Sequence, residues 1–386
     1  MGEVSEPNAP SSGRALRILV LASSGGGGDG PPLIGAAVAL RDAGHKISVF
    51  ADEAVAAALQ GTALPVEALT DIETLESRER KYLEGHDPGV PFPLMGWAKE
   101  AAPFAVPFAK AFQPDLLLCS DFTSILGQRV REEAGTPMCI IHATYYVGEG
   151  SRRSAEKDFR NTGGAGFLRL MAAGDLVLLA TDPVYDPPPD RVPPNYHWVG
   201  TLIWEPVKES PAWLEEPGDP WVLMTLSSAR QEGELELARA AVTAAAEFPV
   251  RLLVTLADGK SADDLRSTSD KVRVETFVPH SRVLESARLC IAHAGHGIVA
   301  KALKFGVPMV LVPWDRDQPG VAARAEALGV AKVVPRSELS RESLTGAIRE
   351  VLGTPSYGDN ARLHSERIRN YDPAALVCEK IEAFLR

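Results

Sequence analysis

The run His293-Ala294-Gly295-His296-Gly297-Ile298 combines residue types suited to holding an anion. A buried apolar strand over 289–292 leads into it, an amphipathic helix over 299–305 leaves it, and a second strand over 308–312 follows. Gly295 and Gly297 give the backbone freedom that an anion-binding turn needs. The helix start then points amides, with the His293 imidazole, at one spot beyond a strand end, where a phosphate binds well. Ile298 would add only its backbone amide. Some twenty residues on, Asp317-Gln318 ends the next strand on the same sheet edge and offers a carboxylate and an amide to hydroxyls. A diphosphate cradle beside a hydroxyl-binding pair suits a nucleotide-sugar.

A second group of chemical residues lies near the start of the chain. Gly25, Gly27 and Gly30 satisfy G-x-G-x-x-G after a strand, and Asp52 ends the strand that follows. A dinucleotide fingerprint buries its last glycine inside the helix, whereas Pro31-Pro32 open a helix here. Three readings remain: a cofactor-phosphate loop, a flexible loop, or an acceptor-site loop whose catalytic group is Asp29. Asp121 ends another strand and would either share a proton with a second carboxylate or cap the helix after it. His142 follows the strand over 138–141 as a stand-in base or a wall of an acceptor pocket.

These residues need a frame of strands and helices. Strands over 17–22, 46–50, 116–119 and 138–141 alternate with helices over 32–43 and 123–133, the pattern of a doubly wound parallel sheet. Residues 83–112 carry Pro, Gly and several aromatics without strand alternation. Proline-rich stretches at 187–189 and 206–220 interrupt the pattern, which restarts with a strand over 221–226 and a helix over 232–247. We therefore expect a tail at 1–14, a first domain at 15–205, a linker at 206–220, a second domain at 221–368 and a terminal helical segment at 369–386. Ligands of such sheets bind beyond the carboxyl ends of the strands, here between the halves.

Composition narrows the partners. The chain has 386 residues, 45% of them apolar, enough for two ordinary cores. A net charge of −11 argues against a nucleic-acid backbone as partner. Cys119, Cys139, Cys290 and Cys378 are widely spaced in apolar runs, as buried thiols of a cytoplasmic protein would be. Residues 1–13 lack the pattern of a signal peptide, and no stretch reaches the ~20 apolar residues of a membrane span.

From Phe277-Val278-Pro279-His280 to Val334 the chain resembles the donor signature of the family-one, GT-B nucleotide-sugar glycosyltransferases, which include plant, macrolide and glycopeptide enzymes. The segments at 114–137, 175–181 and 198–200 resemble that family's first-domain landmarks. The resemblance implies an α/β fold of two Rossmann-like domains facing across a cleft, with the last helix (373–385) crossing back to the first domain. It implies an inverting transfer of a hexose, from UDP-glucose or a TDP-sugar, to a small apolar or aromatic acceptor. Val278 and His280 then lie where the nucleotide base is held, with Ser227 and Ser228 as further donor contacts.

Phe92, Trp97 and His142 would wall the acceptor pocket. Asp29 takes the place of the family's catalytic His, as in some glycopeptide and sterol enzymes, with Asp121 beside it. Relatives usually carry Ser or Thr where Ile298 stands, and many carry Glu, which binds the ribose diol, where Lys301 stands. Asp315-Arg316-Asp317 resembles a metal-binding pair, but His293 and a helix start already serve the phosphates, so neither metal nor cofactor is expected. An epimerase of the same fold and a catalytically silent sugar-nucleotide or lipid binder are the alternatives.

Overall fold

The computed structural model describes residues 14–25, 28–85, 93–147, 173–206, 208–226, 233–256, 265, 269–314 and 316–386. The first sheet contains β1 (Arg17–Leu21), β2 (Lys46–Asp52), β3 (Val66–Leu69), β4 (Leu116–Ser120), β5 (Met138–His142), β6 (Leu176–Leu179) and β7 (Tyr196–Trp198). Its order is 3-2-1-4-5-6-7, every pairing parallel. Strands such as LLLCS and MCIIH are buried throughout, as strands covered on both faces must be. The covering helices are α1 (Gly30–Asp42), α2 (Glu53–Ala58), α3 (Leu75–Gly85), α4 (Leu94–Phe112) and α5 (Ser124–Ala134).

The second sheet repeats the plan with β8 (Trp221–Thr225), β9 (Arg251–Thr255), β10 (Val272–Glu275), β11 (Ala287–Ala292), β12 (Met309–Leu311) and β13 (Ala331–Val333). Its order is 10-9-8-11-12-13, again wholly parallel. Around it lie α6 (Glu234–Ala245), α7 (His280–Leu284), α8 (His296–Phe305), α9 (Gln318–Ala327), α10 (Arg341–Gly353) and α11 (Pro355–Arg369). The last helix, α12 (Pro373–Phe384), leaves this half and buries Val377 and Ile381 in the core of the first sheet. There Glu382 meets the buried His45 at 3.3 Å. Gly200, at φ +84°, faces Pro373 after β7, where an added Cβ would lie 3.3 Å from the proline Cγ.

One segment left unassigned by the sequence is a helix, and one helix start needs revision. Residues 94–112 form one continuous helix: Leu94, Trp97, Ala98, Ala101, Ala105 and Ala109 give a buried stripe of helical period. Pro103 and Pro107 lie on its exposed face, where water can satisfy the carbonyls they leave without an N–H partner. The helix after the glycine run starts at Gly30, two residues before the expected proline. The expected tail at 1–14 falls outside the described residues except for Arg14, which pairs with Asp115 at 2.6 Å. All four cysteines are free, three of them buried and Cys378 partly so. Among the described residues no helix is long and apolar enough to cross a membrane.

The two halves touch along a continuous seam. Tyr145, Val147 and Tyr185, which follow strands of the first sheet, belong to the apolar core of the second. The Tyr145 ring lies 3.8 Å below the Arg324 guanidinium. A Cβ at position 320 would sit 2.2 Å from the Tyr145 hydroxyl oxygen, so α9 approaches there only because the residue is Gly320. Arg367 reaches both oxygens of Asp182 at 2.9 and 2.7 Å, a bidentate pairing that fixes orientation as well as distance.

Candidate functional site

Asp29 occupies the N-cap position of α1 yet makes no capping bond. An N-cap side chain normally accepts from the second or third helical amide. In α1 those positions are Pro31 and Pro32, which have no N–H to give. The carboxylate turns instead to the chain after β4, where its Oδ2 accepts from the Phe122 amide at 3.3 Å. The side chain is almost wholly enclosed, at 6% exposure. Burial, then the charge of Asp121, raises its pKa to about 8; Ser120, the Phe122 amide and His142 pull it partly back.

Asp121 and His142 stand beside it. Asp121 Oδ2 lies 2.9 Å from His142 Nδ1 and accepts from the Ala143 amide at 3.3 Å. The other imidazole nitrogen, Nε2, lies 2.8 Å from the carbonyl oxygen of Tyr145. Both ring nitrogens thus face acceptors, an arrangement that only the imidazolium satisfies fully. Burial alone would lower its pKa, but the charge and hydrogen bond of Asp121 and the Tyr145 carbonyl outweigh it and hold His142 up at about 9. With both nitrogens committed, His142 is placed as a buried counter-ion of Asp121 rather than as a base or a pocket wall. The Asp121 helix-capping alternative has no bond to support it: Thr123 holds the N-cap position of α5, no side chain caps the helix, and Ser124 Oγ donates to the Asp121 carbonyl rather than to its carboxylate.

Among the described residues beside the glycine run, Asp52 is already committed. Asp52 spends one oxygen on the amide and hydroxyl of Ser24, at 2.6 and 2.7 Å, and the other on capping α2 through the Val55 amide. Gly27 lies outside the described residues.

In the second half, β11 ends at Ala292 and α8 starts at His296, so His293, Ala294 and Gly295 make the turn. Ala294 is held at φ +64°, a left-handed conformation that costs a non-glycine residue energy and often marks a functional turn. His293 folds back over Gly295, where an added Cβ would lie 2.5 Å from His293 Nε2. Gly297, in the first turn of α8, has nothing within 4 Å of its Cβ position. Space beside a helix start is what a phosphate requires.

Several side chains expected at the donor already have partners within the protein. His296 turns to the first half: Nε2 lies 3.3 Å from Thr181 Oγ1, the ring packs against Tyr185, and burial lowers its pKa to about 3. Only its backbone stays available to a phosphate. Ile298 and Val278 bury their side chains in the second core. His280 contacts Thr255 Oγ1 at 2.9 Å through Nε2. Asp317 accepts a hydrogen bond from Thr144 Oγ1, a hydroxyl of the opposite half, at 2.7 Å. Gln318, buried, accepts from the Trp314 amide at 2.9 Å and so fixes the turn before α9. Trp97 does not wall a pocket: at 1% exposure it lies in the core between α4 and the first sheet. Phe92, Ser227, Ser228 and Asp315 lie outside the described residues.

The stretch 142–145 joins the two groups. His142 faces Asp121, Thr144 reaches Asp317, and Tyr145 packs on Gly320 and Arg324. It brings a buried carboxylate cluster at the strand ends of one sheet against the helix starts of the other. Sequence reasoning missed Thr144, Thr181 and Glu205. The first two carry no motif; Glu205 could have been sought, because Lys301 puts a cation where the resemblance leads one to expect a carboxylate.

Comparison with known proteins agrees with this geometry. The family model described as "Erythromycin biosynthesis protein CIII-like, C-terminal domain" matches residues 239–383. The 4'-demethylrebeccamycin synthase of Lentzea aerocolonigenes is 31% identical over 208 residues, covering 53% of this chain but only 48% of that relative. The NDP-glycosyltransferase YjiC of Bacillus subtilis (strain 168) is 22% identical over 366 residues, 90% of this chain and 92% of its own. Among solved structures, the calicheamicin glycosyltransferase CalG4 superposes with a TM-score of 0.74 over 96% of this chain and 98% of its own, at 19% identity. With two facing Rossmann-like sheets and a returning last helix the chain has the GT-B fold, and its C-terminal region is similar to that of glycosyltransferases of the macrolide type.

Proposed function

We propose that this chain transfers a hexose from a nucleotide-sugar to a hydroxyl of a small apolar or aromatic natural-product acceptor, with inversion at C1. UDP-glucose is the favoured donor and a TDP-sugar the second choice. The observation that carries this reading is Asp29: a carboxylate freed from its helix by two prolines and buried beside a second carboxylate. A base with a pKa near 8 is far better matched to an alcohol than an ordinary carboxylate.

Asp29 takes the hydroxyl proton as the acceptor oxygen forms its bond to C1. The bond from C1 to the diphosphate breaks, and the nucleoside diphosphate leaves toward His293 and the start of α8. Fixed donors aimed at the departing charge stabilise it without reorganising. Asp317, which already accepts one hydroxyl from Thr144, exchanges it for a sugar hydroxyl. No metal is required, because the imidazole and the helix amides meet the phosphate charge.

The test is to incubate the protein with UDP- and TDP-sugars and a panel of phenols and macrolides, with and without EDTA. Glycosylated product that survives chelation is expected. Activity lost to EDTA and restored by Mg²⁺ or Mn²⁺ would overturn the metal-free reading. Nucleotide release without any acceptor would indicate an epimerase, and binding without turnover a silent relative. Asp317→Ala should weaken binding of the intact donor while leaving free nucleoside diphosphate affinity nearly unchanged.

His142 offers an independent check. Its positive charge lowers the pKa of Asp29. Its removal in His142→Gln therefore raises that pKa, and the acid limb of the kcat profile should move to higher pH. Substantial activity should persist on the alkaline side. Complete loss at every pH, with the fold intact, would instead make His142 the base.

A further inference from the structure

Asp186 ends the short turn over 181–186 that follows β6, and only 2% of it is exposed. Its Oδ2 accepts from the Tyr146 amide at 2.7 Å and from Trp198 Nε1 at 3.2 Å, and its Oδ1 from Arg324 Nε at 3.2 Å. Arg324 belongs to α9, in the opposite half. Its Nη1 also donates to the Gly320 carbonyl at 3.1 Å, and its guanidinium covers the Tyr145 ring. The neighbouring Tyr185 hydroxyl donates to the Val321 carbonyl at 2.9 Å. Two consecutive residues of the first half thus pin one face of α9.

The peptide between Tyr145 and Tyr146 is used at both ends. Its carbonyl oxygen faces His142 Nε2 at 2.8 Å, and its N–H donates to Asp186. The bonds therefore run in one line, from the Asp121 carboxylate through the His142 ring and the 145–146 peptide to the Asp186 carboxylate and the Arg324 guanidinium. Charges alternate along that line, and each bond polarises the next. Against burial, Asp121 and the Tyr145 carbonyl keep the His142 pKa high, and the charge of Asp186 adds to them. A buried ion pair often contributes little net stability, and a pair that only joined the halves would need no link to the carboxylate cluster. Here one carboxylate serves both the peptide that holds His142 and the helix headed by Asp317.

Resting on the transferase reading above, we infer that Asp186 is a positioning residue for the transfer: through the 145–146 peptide it aims His142 at Asp121 beside Asp29, and through Arg324 it holds the head of α9, where Asp317 stands. It keeps the proposed base and the proposed sugar contact in register across the seam. Reaction in a closed cleft demands that register, because a shift of about 1 Å can cost about 10²-fold in rate.

The experiment takes the nucleotide-sugar and acceptor that give turnover in the panel above and adds calorimetric titration of the matching nucleoside diphosphate. Asp186→Asn keeps the shape but has a single acceptor oxygen, so its NH₂ must face either the Tyr146 amide or Arg324, both donors. Its kcat should fall about 10–100-fold, with nucleoside diphosphate affinity within about twofold of native. Arg324→Lys keeps the charge on a side chain 18% exposed but loses the Nε–H and the planar stack on Tyr145, and should show the same split. It decides the matter if Asp186→Asn does not fold. The double variant should be little slower than the slower single one, because both break one line of bonds. Arg367→Lys weakens the Asp182 pairing of the same turn without touching that line, so kcat should stay near native. Native kcat in folded Arg324→Lys, or an equal fall in Arg367→Lys, would overturn the inference and leave Asp186 as a joint between the halves. A loss of nucleoside diphosphate affinity as large as the loss of kcat would overturn it too. A native protein without turnover on any member of the panel would overturn the transferase reading, and this inference with it.

Discussion

In the Asp29→Asn protein, turnover is expected to fall by about 10²–10⁴-fold while donor binding stays nearly unchanged. The substitution keeps size and polarity and retains an oxygen for the Phe122 amide, so the loop should keep its place. What is lost is proton acceptance. The native group must be deprotonated to act, and its pKa is raised to about 8. The native kcat should therefore climb with pH through that region, and the residual rate of the variant should lack that limb. The loss should be smaller on acidic phenols, whose pKa of about 10 makes the proton easier to lose, than on aliphatic alcohols. Steady-state rates of both proteins on one phenol and one alcohol from pH 6 to about 9.5 decide the matter. Near-native turnover of the variant on the alcohol would remove Asp29 from the mechanism.

The parts of this arrangement that could be read in the sequence are those fixed by local chemistry. Parallel strands buried on both faces are nearly continuous apolar runs, so the strands near 17, 116, 138, 221 and 289 stood out. The turn over 293–295 was legible because glycines and a histidine stand between an apolar run and an amphipathic one. Helix α4 was not legible: residues 83–112 showed only an absence of strand alternation, and the helix holds Pro103 and Pro107, which its exposed face tolerates. Asp29 was visible as a candidate, but what sets its basicity was not. Its neighbours Asp121 and His142 come from two other strand ends, and their approach depends on a sheet order that no local pattern states.

Side-chain direction was the least legible property. His293 and His296 look alike in the motif, yet one folds over Gly295 and the other crosses to Thr181. Trp97 has the composition of a pocket aromatic, but its place in the helical stripe of α4 turns it into the core. Both outcomes are set by tertiary packing. The same holds for Thr144, whose contact with Asp317 spans 173 positions of sequence.

The second large effect is expected at the turn itself. His293→Ala removes the donor proposed for the diphosphate, and a hydrogen bond to a charged group is worth about 1.5–3 kcal/mol. Nucleoside diphosphate affinity should thus fall at least about tenfold. Turnover at limiting donor should fall by that factor or more, because the same contact steadies the leaving group. Gly295→Ala gives a sharper version of the test, since it deletes no polar atom. Its new Cβ would lie 2.5 Å from His293 Nε2, so the imidazole has to swing away from the turn. If His293 acts by position, Gly295→Ala should lose nucleotide affinity to a similar extent, with thermal unfolding showing that each variant remains folded. The double variant should then be little worse than either single one, because both remove one interaction. Calorimetry showing native affinity in His293→Ala would move the phosphate cradle elsewhere. A loss confined to Gly295→Ala would assign the binding to the backbone of the turn rather than to the imidazole.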